Sequence, residues 1–370
     1  MALYVGLMSG TSLDGVDAVL ADIGAGHVQV RAHAQIPFDA ALRAELLALN
    51  TPAGHDELHR AALAANALVQ VYAAAVERVL PAAGVSAPQV RAIGAHGQTV
   101  RHRPGEFDGQ GYTLQLNNPA LLAERTGIDV VCDFRSRDVA AGGQGAPLVP
   151  AFHAAVFARP GEAVAVLNLG GIANLSLLGA DGGVQGFDCG PANALLDGWC
   201  QRHTGQPYDA GGAWSAGGRL LPGLLQALMA EPFLSKPPPK STGRDLFHMA
   251  WLQTHLAAHA PQADPRDVQA TLAEFSAAAA AQALLRHAPA TRELLVCGGG
   301  AYNADVLRRL AARLPGVAVR STAERGLPPL QVEAAAFAWL AHAFCERLPG
   351  NRVEVTGARG PRILGALYPR

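Results

Sequence analysis

Short apolar runs separated by small-residue turns predict β-strands in both halves of the chain. Residues 3–8 are apolar, and residues 16–23 are apolar again after a polar turn that contains glycine. The apolar run 163–169, the pair Gly170–Gly171 and the run 172–178 repeat this pattern about 160 residues later. The repeat predicts two related halves, each of which begins with a strand, a glycine turn and a second strand.

Helical spacing alternates with these strands. Apolar residues recur every three or four positions from 58 to 80, and Pro81 ends the pattern. A second long helix is predicted from 264 to about 286, and residues 187–191 open a third, so that Asp188 would stand just before a helix start. Strands joined to such helices in both halves predict an α/β fold whose sheets are covered by helices.

The length of 370 residues favours two domains. The small-residue stretch 140–147 has the composition of a hinge, so the first boundary is placed there. We predict one domain from residues 1–140, joined by a returning segment of about 350–370, and another from residues 141–349.

Composition excludes several classes of function. A net charge of −1 gives no overall attraction for nucleic acid or anionic lipid, and 50% hydrophobic residues indicate a globular chain. No unbroken apolar stretch reaches the roughly 18 residues that span a bilayer, and the N-terminus lacks a secretory signal, which predicts a cytoplasmic protein. The five cysteines form no CxxC pair and the thirteen histidines show no zinc spacing, so we expect free thiols and no zinc.

Three glycine turns carry the candidate chemistry: residues 9–15, the pair Gly170–Gly171, and residues 298–300. Glycine lets backbone N–H groups approach a phosphate closely. None of the turns is a Walker A loop, because the chain contains no Gly-Lys pair, and none fits G-x-G-x-x-G. Each turn alone could be an ordinary tight hairpin, but their arrangement in both halves suits a nucleotide held between two domains.

Longer strings make the resemblance specific. They are GLMSGTSLDGVDAVL (6–20), AHGQTV (95–100), DFRSRDVAAGGQGAPLVP (133–150), LNLGGIANLSLL (167–178), GFDCGPANALLDGW (186–199), KSTGRDLF (240–247), DVQATLAEFSA (267–277) and CGGGAYN (297–303). The chain resembles the actin, hexokinase and heat-shock chaperone ATPase superfamily, and within it the anhydro-N-acetylmuramic acid kinases. The strings cover nearly the whole chain.

The resemblance implies two related domains of actin/hexokinase (ribonuclease H-like) type around an interdomain ATP cleft. It also implies a reaction of bacterial cell-wall recycling. Water opens the 1,6-anhydro bridge of anhydro-N-acetylmuramic acid while ATP, with Mg²⁺, phosphorylates O6, giving N-acetylmuramic acid 6-phosphate and ADP. A homodimer is implied as well.

The resemblance also assigns the site. Asp188 would be the base, and a position at a helix start would favour its ionised form, although an aspartate there could equally be a helix cap. The sugar-binding residues would be Ser12, His96, Gln98, Thr99, Arg135 and Glu333. The residues that hold ATP would be Gly10, Thr11, Ser12, Leu13, Asp14, Gly15, Val16 and Asp17 in the first turn, Asn168, Gly170, Gly171 and Asn174 in the second, and Gly298, Gly299 and Gly300 in the third.

Simpler readings stay open for individual residues. Asp14 or Asp17 would orient Mg²⁺ through water, but Asp17 could also be a solvated strand residue. Arg135 suits the lactyl carboxylate of the substrate, yet an arginine beside Asp133 and Asp138 is often a surface ion-pair partner. His96 could be a hydrogen-bonded loop histidine.

Two other functions stay open from the sequence. One is another sugar or carboxylate kinase of the same superfamily, in which Asp188 would deprotonate a substrate hydroxyl. The other is a non-catalytic, ATP-driven switch protein.

Overall fold

The computed structural model describes residues 1–10, 12–24, 26–52, 54–243 and 246–370. It divides into two compact units: residues 1–156 with 331–370, and residues 157–330. The boundary therefore falls later than the predicted 140/141, and the returning segment begins earlier than the predicted 350. The reason for the earlier return is the helix 332–345, which packs against the sheet of the first unit.

Thirteen strands and fourteen helices form the framework of the described residues. The strands are β1 (Ala2–Met8), β2 (Gly15–Gly24), β3 (His27–Pro37), β4 (Val90–Ala95), β5 (Gln98–Pro104), β6 (Gly111–Leu116), β7 (Val130–Cys132), β8 (Val164–Leu169), β9 (Ile172–Leu178), β10 (Val184–Pro191), β11 (Glu293–Cys297), β12 (Ala318–Ser321) and β13 (Ala366–Tyr368). The helices are α1 (Ala40–Leu49), α2 (Glu57–Ala82), α3 (Pro119–Thr126), α4 (Ser136–Ala140), α5 (Val149–Phe157), α6 (Asn193–Thr204), α7 (Ala213–Ala216), α8 (Pro222–Met229), α9 (Pro232–Ser235), α10 (Met249–His259), α11 (Pro265–His287), α12 (Ala304–Arg313), α13 (Val332–Cys345) and α14 (Val353–Thr356).

The first unit is built on a six-stranded sheet with the order β13-β7-β4-β1-β2-β3. β1 pairs antiparallel with β2 and parallel with β4. Helix α13 lies so close to these strands that a Cβ added to Gly6 would stand 1.9 Å from the carbonyl oxygen of Ala334. Glycine in the strand is therefore what allows the helix to pack there.

Helix α2 supplies much of the core of the first unit. By length and composition it is the one helix among the described residues that is apolar enough to cross a membrane, but 56% of its most apolar window is buried inside the structure. Its buried side chains include Leu68, Tyr72 and Val76, at the spacing that the sequence pattern predicted. A buried core helix passes the same test of length and composition.

The second unit repeats the arrangement of the first. Its five-stranded sheet has the order β10-β9-β8-β11-β12, with β8 antiparallel to β9 and parallel to β11. Each sheet thus has a three-strand antiparallel meander followed by a strand parallel to its first member. The predicted internal repeat and the α/β class are confirmed, whereas the ATP cleft between the domains stays a prediction.

The prediction that a helix begins within residues 187–191 is wrong about its first residue. β10 continues through Asp188 to Pro191, and α6 begins at Asn193. The strand continues because β10 pairs with β9 past a bulge, as far as the pair Pro191–Ile172. β10 is an edge strand, where proline is tolerated. Asp188 therefore lies within a strand and not beside a helix N-terminus.

Candidate active site

Three of the predicted site residues form one row across the second sheet. Asn168 on β8 lies opposite Asn174 on β9, and Asn174 lies opposite Asp188 on β10. Directly opposed residues share a face of the sheet. All three side chains are partly exposed in strands that are otherwise largely buried. The fold thus places a polar row, ending in one carboxylate, on an apolar sheet.

Both the side chain and the backbone of Asp188 are hydrogen-bonded to the segment around residue 240. Its Oδ2 accepts a hydrogen bond of 2.9 Å from the backbone N–H of Thr242, and its own N–H donates to the carbonyl of Lys240 at 3.1 Å. Burial raises the pKa of Asp188 to about 6, while the Thr242 N–H and the charge of Lys240 act against this shift. The prediction that a helix start favours the carboxylate is therefore wrong, and so is the alternative that Asp188 caps the helix. The ionised form is stabilised instead by the segment around 240.

Lys240 is a residue of this site that the sequence reasoning did not assign. Its Nζ donates to the carbonyl oxygens of Phe233 at 3.2 Å and Leu234 at 3.0 Å, and it lies 4.8 Å from the centroid of the Phe233 ring. These contacts tie the segment that carries Thr242 to the short helix α9. The sequence feature that could have indicated Lys240 is composition, because the chain has only two lysines.

In the first unit, the buried His96 and the partly buried Arg135 form a hydrogen-bonded pair. Arg135 Nη2 lies 2.9 Å from His96 Nε2, and His96 Nδ1 lies 3.3 Å from the carbonyl oxygen of Ser9. Because a guanidinium can only donate, Nε2 accepts and the ring proton is assigned to Nδ1, which donates to Ser9. Burial and the charge of Arg135 lower the pKa of His96 to about 3, so the ring stays neutral.

Arg135 is not a surface ion-pair partner. Its Nε and Nη2 donate to His96, and its Nη1 donates to the carbonyl of Gly145 at 2.8 Å. Burial lowers its pKa only to about 10, so the side chain remains charged at neutral pH. Of the five guanidinium N–H groups these contacts use three, and within the described residues one N–H on each Nη has no protein partner. Two such N–H groups fit one carboxylate in a bidentate arrangement.

The other predicted sugar-binding residues differ in burial and in their hydrogen-bond partners. Gln98 is fully buried, and its Nε2 donates to the carbonyl of Gly10 at 3.2 Å. Thr99 accepts from Gln115 at 3.3 Å, and Ser12 is half-buried. Glu333 is solvent-accessible, but the protein atoms packed around it displace water and raise the pKa of its carboxyl group. The negative charge of Asp17 raises this pKa further, and the positive charge of Arg135 lowers it.

The first turn divides into buried and accessible members. Leu13 and Val16 have buried side chains, so only their backbone could face a ligand. Asp14 is exposed and lies 3.9 Å from Arg43, while Asp17 lies 3.2 Å from His33. The described residues contain no group of three or more side chains suited to hold a metal ion without further ligands. Thr11 lies outside the described residues.

The predicted ATP-binding glycines fall into two groups. At Gly10, Gly170, Gly171 and Gly299 an added Cβ would meet no atom of the chain closer than 3.6 Å. At Gly15, Gly298 and Gly300 the nearest atom would lie at 2.2, 2.3 and 2.5 Å, respectively. A methyl group would fit in ordinary van der Waals contact at the first group, so packing within the chain does not require glycine there, whereas the second group needs glycine for packing within the chain.

Comparison with known proteins identifies the family. The family model described as anhydro-N-acetylmuramic acid kinase matches residues 2–370. The chain belongs to the anhydro-N-acetylmuramic acid kinase family. It is 63% identical over 372 residues to the protein of that name from Variovorax paradoxus, with 99% of each chain covered. It is 58% identical to the one from Cupriavidus metallidurans, with 100% of this chain and 98% of the relative covered.

Solved structures show the same fold at low identity. The activator of 2-hydroxyisocaproyl-CoA dehydratase from Clostridium difficile aligns with a TM-score of 0.50 and 12% identity, covering 93% of this chain and 96% of that one. The (R)-2-hydroxyglutaryl-CoA dehydratase component A from Acidaminococcus fermentans has the same TM-score. The actin/hexokinase type of fold predicted from the sequence is confirmed.

Family membership makes the protein a kinase and a transferase. It also supports the use of ATP and a small-molecule substrate. Of the alternatives left open by the sequence, the non-catalytic switch finds no support in these comparisons, because the sequence relatives carry the name of a kinase.

Proposed function

We propose that the protein opens the 1,6-anhydro bridge of anhydro-N-acetylmuramic acid with water and phosphorylates O6 from ATP. The observation that carries this proposal, together with the family, is the state of Asp188. One of its oxygens is held by the Thr242 N–H, and within the described residues Oδ1 has no hydrogen-bond partner. A pKa of about 6 leaves the carboxylate ionised at neutral pH and makes it a stronger base than an ordinary aspartate.

The proposed reaction balances as follows. The Asp188 carboxylate takes a proton from a water molecule whose oxygen attacks the anomeric carbon C1. The bond from C1 to O6 breaks, its electron pair stays on O6, and O6 attacks the γ-phosphorus of ATP. The bond from the γ-phosphorus to the oxygen that bridges it to the β-phosphorus breaks, and its electron pair leaves with ADP. N-acetylmuramic acid 6-phosphate and ADP leave, and the proton on Asp188 is returned to solvent.

The remaining roles follow the geometry of each unit. Gly10, Gly170 and Gly171 would admit phosphate oxygens to the space beside their backbone, and Gly299 would do so for the nucleoside. Arg135 would bind the lactyl carboxylate with its two remaining N–H groups. His96 has both ring nitrogens bonded within the chain, so it would act by orienting Arg135.

Mg²⁺ suits a site with few protein ligands. It keeps several waters and is usually held by one or two carboxylates together with substrate phosphates. The accessible carboxylates of Asp14 and Asp17, without a larger acidic cluster among the described residues, fit an ion held through water. Bound there, Mg²⁺ would neutralise charge on the phosphates.

An isotope experiment tests the reaction directly. The protein is incubated with Mg-ATP and anhydro-N-acetylmuramic acid in ¹⁸O water, and the sugar phosphate is analysed by mass spectrometry. We expect one ¹⁸O at the anomeric hydroxyl and none in the phosphate. Turnover of N-acetylglucosamine with no turnover of the anhydro sugar would contradict the proposal and favour a different sugar kinase. The homodimer, the cytoplasmic location and the absence of nucleic-acid or membrane partners stay predictions.

A further inference from the structure

Asp138 is a fully buried carboxylate of the first unit, on α4. Its Oδ1 accepts from Asn351 Nδ2 at 2.6 Å and from the Thr356 hydroxyl at 2.8 Å, and its Oδ2 accepts from the backbone N–H of Gly145 at 2.8 Å. All three donors are neutral. Buried polar side chains are normally hydrogen-bonded, and Asp138 is bonded through both of its carboxylate oxygens.

The peptide groups of Gly145 connect Asp138 to Arg135. The N–H of Gly145 donates to Asp138, and the carbonyl of the same residue accepts from Arg135 Nη1 at 2.8 Å. Arg135 in turn donates to His96, which is bonded to the carbonyl of Ser9. An unbroken series of hydrogen bonds therefore runs from the C-terminal segment, through Asp138 and Gly145, to the guanidinium.

The loop around Asp138 is closely packed. A Cβ added to Gly143 would stand 2.2 Å from Asp138 Oδ2. Gly145 has a φ of +66°, and a Cβ there would lie 2.8 Å from Val139 Cγ2. Glycine at both positions lets the loop approach the carboxylate and turn its carbonyl toward Arg135. Asp138 therefore binds the N–H of Gly145 and Arg135 binds its carbonyl, so the two side chains hold the same residue of the loop.

We propose that Asp138 is a positioning residue for substrate selection. It fixes the Gly145 carbonyl, which orients the Arg135 guanidinium toward the carboxylate of the substrate. This inference rests on the proposed function, in which Arg135 binds the lactyl carboxylate. The chemical class that Asp138 selects, through Arg135, is a sugar that carries a carboxylate.

The test uses Asp138→Asn and two sugars. The amide keeps the shape of the side chain but brings an NH₂ group against one or more of three donors. With anhydro-N-acetylmuramic acid we expect KM to rise about 10- to 100-fold, the range that a hydrogen bond to a charged group is worth. With 1,6-anhydro-N-acetylglucosamine, which lacks the lactyl group, and with ATP, we expect KM to change less than about twofold. Equal losses on both sugars, or none on either, would overturn the inference.

Asp129→Asn is the matched control. Asp129 also accepts a backbone N–H from the C-terminal segment, that of Arg370 at 3.0 Å. Within the part of the chain that the structure describes, it makes no hydrogen bond with Arg135 or Gly145. We expect it to leave the ratio of kcat/KM between the two sugars unchanged. If it alters the ratio as much as Asp138→Asn does, a general effect of the C-terminal segment is responsible and the inference fails.

Thr356 provides a milder variant in case Asp138→Asn does not fold. Thr356→Val removes one donor to Asp138 without changing the volume of the side chain, and we expect the lactyl preference to fall severalfold. Thr356→Ser keeps the hydroxyl and is expected to restore that preference. A preference that falls equally in both variants would contradict the role of Asp138.

Arg135→Met separates this inference from the proposed function. If the unsubstituted protein does not turn over anhydro-N-acetylmuramic acid, the proposed function fails. If it does, and Arg135→Met abolishes the preference for the lactyl sugar while Asp138→Asn leaves it intact, the role of Asp138 alone fails.

Discussion

The two sheets share a strand order but carry different chemistry on their third strands. In the first sheet, Met8, Asp17 and Gln35 lie opposite one another in a row near the glycine turn. In the second, a comparable row is made of Asn168, Asn174 and Asp188. Gln35 is exposed on β3, a strand with no fully buried residue, whereas Asp188 is the partly exposed carboxylate of a mostly buried strand.

The difference lies in what covers the third strand. Helix α11 packs on β10, and the segment around Lys240 binds both the backbone and the side chain of Asp188. Asp17, in the first sheet, is instead paired with His33 near solvent. The repeated framework therefore does not repeat its chemistry, because the carboxylate of the second row is bound by the segment around Lys240 and that of the first row is paired with a histidine.

Replacing the carboxylate of the second row is expected to have the largest effect. Asp188→Asn keeps an oxygen for the Thr242 N–H, so the fold should persist, but it removes the base. We expect kcat to fall about 10²- to 10⁴-fold, measured by ADP release alongside thermal unfolding. The control is Asp181→Asn in the same hairpin, where the carboxylate accepts the N–H of Gly183. A fall of less than about fivefold in kcat for Asp188→Asn would show that another group is the base.

The two groups of glycines in the second unit can be told apart by single methyl additions. A Cβ at Gly298 would stand 2.3 Å from Asn168 Oδ1, and its φ is +77°, so Gly298→Ala should lower the free energy of unfolding by about 1–3 kcal/mol. At Gly170 the nearest atom lies at 3.7 Å. Gly170→Ala should leave stability within about 0.5 kcal/mol while raising KM for ATP. Denaturant titrations and ATP saturation curves measure both, and the reverse pattern would place the phosphates elsewhere.

Patterns among residues close in sequence were sufficient to predict much of the fold. The paired strands around the first two glycine turns and the long helices depend on residues close in sequence, and each is present. The end of β10 was not predictable in this way. It is decided by pairing with β9, which extends a strand through Pro191, where local rules favour a helix start.

The candidate site residues that lie in sequence motifs were named from the sequence, whereas contacts between distant segments of the chain were not predicted. Asp188 as the base stays a prediction, and the hydrogen bond that holds its side chain comes from Thr242, 54 positions away. Asp138 was considered only as a surface ion-pair partner of Arg135. It is in fact buried, because Asn351 and Thr356 return more than 200 positions later to bind it. No sequence period encodes such contacts.

Substitution of Lys240 has the smallest expected effect and tests what distinguishes Asp188 from the residues of the corresponding row in the first sheet. Its positive charge lowers the pKa of Asp188, and its bonds to α9 hold the Thr242 N–H in place. Lys240→Met removes both effects, and both removals raise the pKa of Asp188 above about 6. Because only the ionised carboxylate accepts a proton, kcat/KM should fall severalfold at pH 6.5 and be nearly unchanged at pH 8.5, as measured by a pH profile.

Lys236→Met is the matched control, since it removes the only other lysine, which is exposed. Lys236→Met should leave the acidic limb of the pH profile of kcat/KM unchanged. Lys240→Arg, which keeps the charge, should shift that limb less than Lys240→Met does. If the acidic limb for Lys240→Met moves to lower pH, or if kcat/KM falls equally at all pH values, then the charge of Lys240 does not set the proton affinity of Asp188.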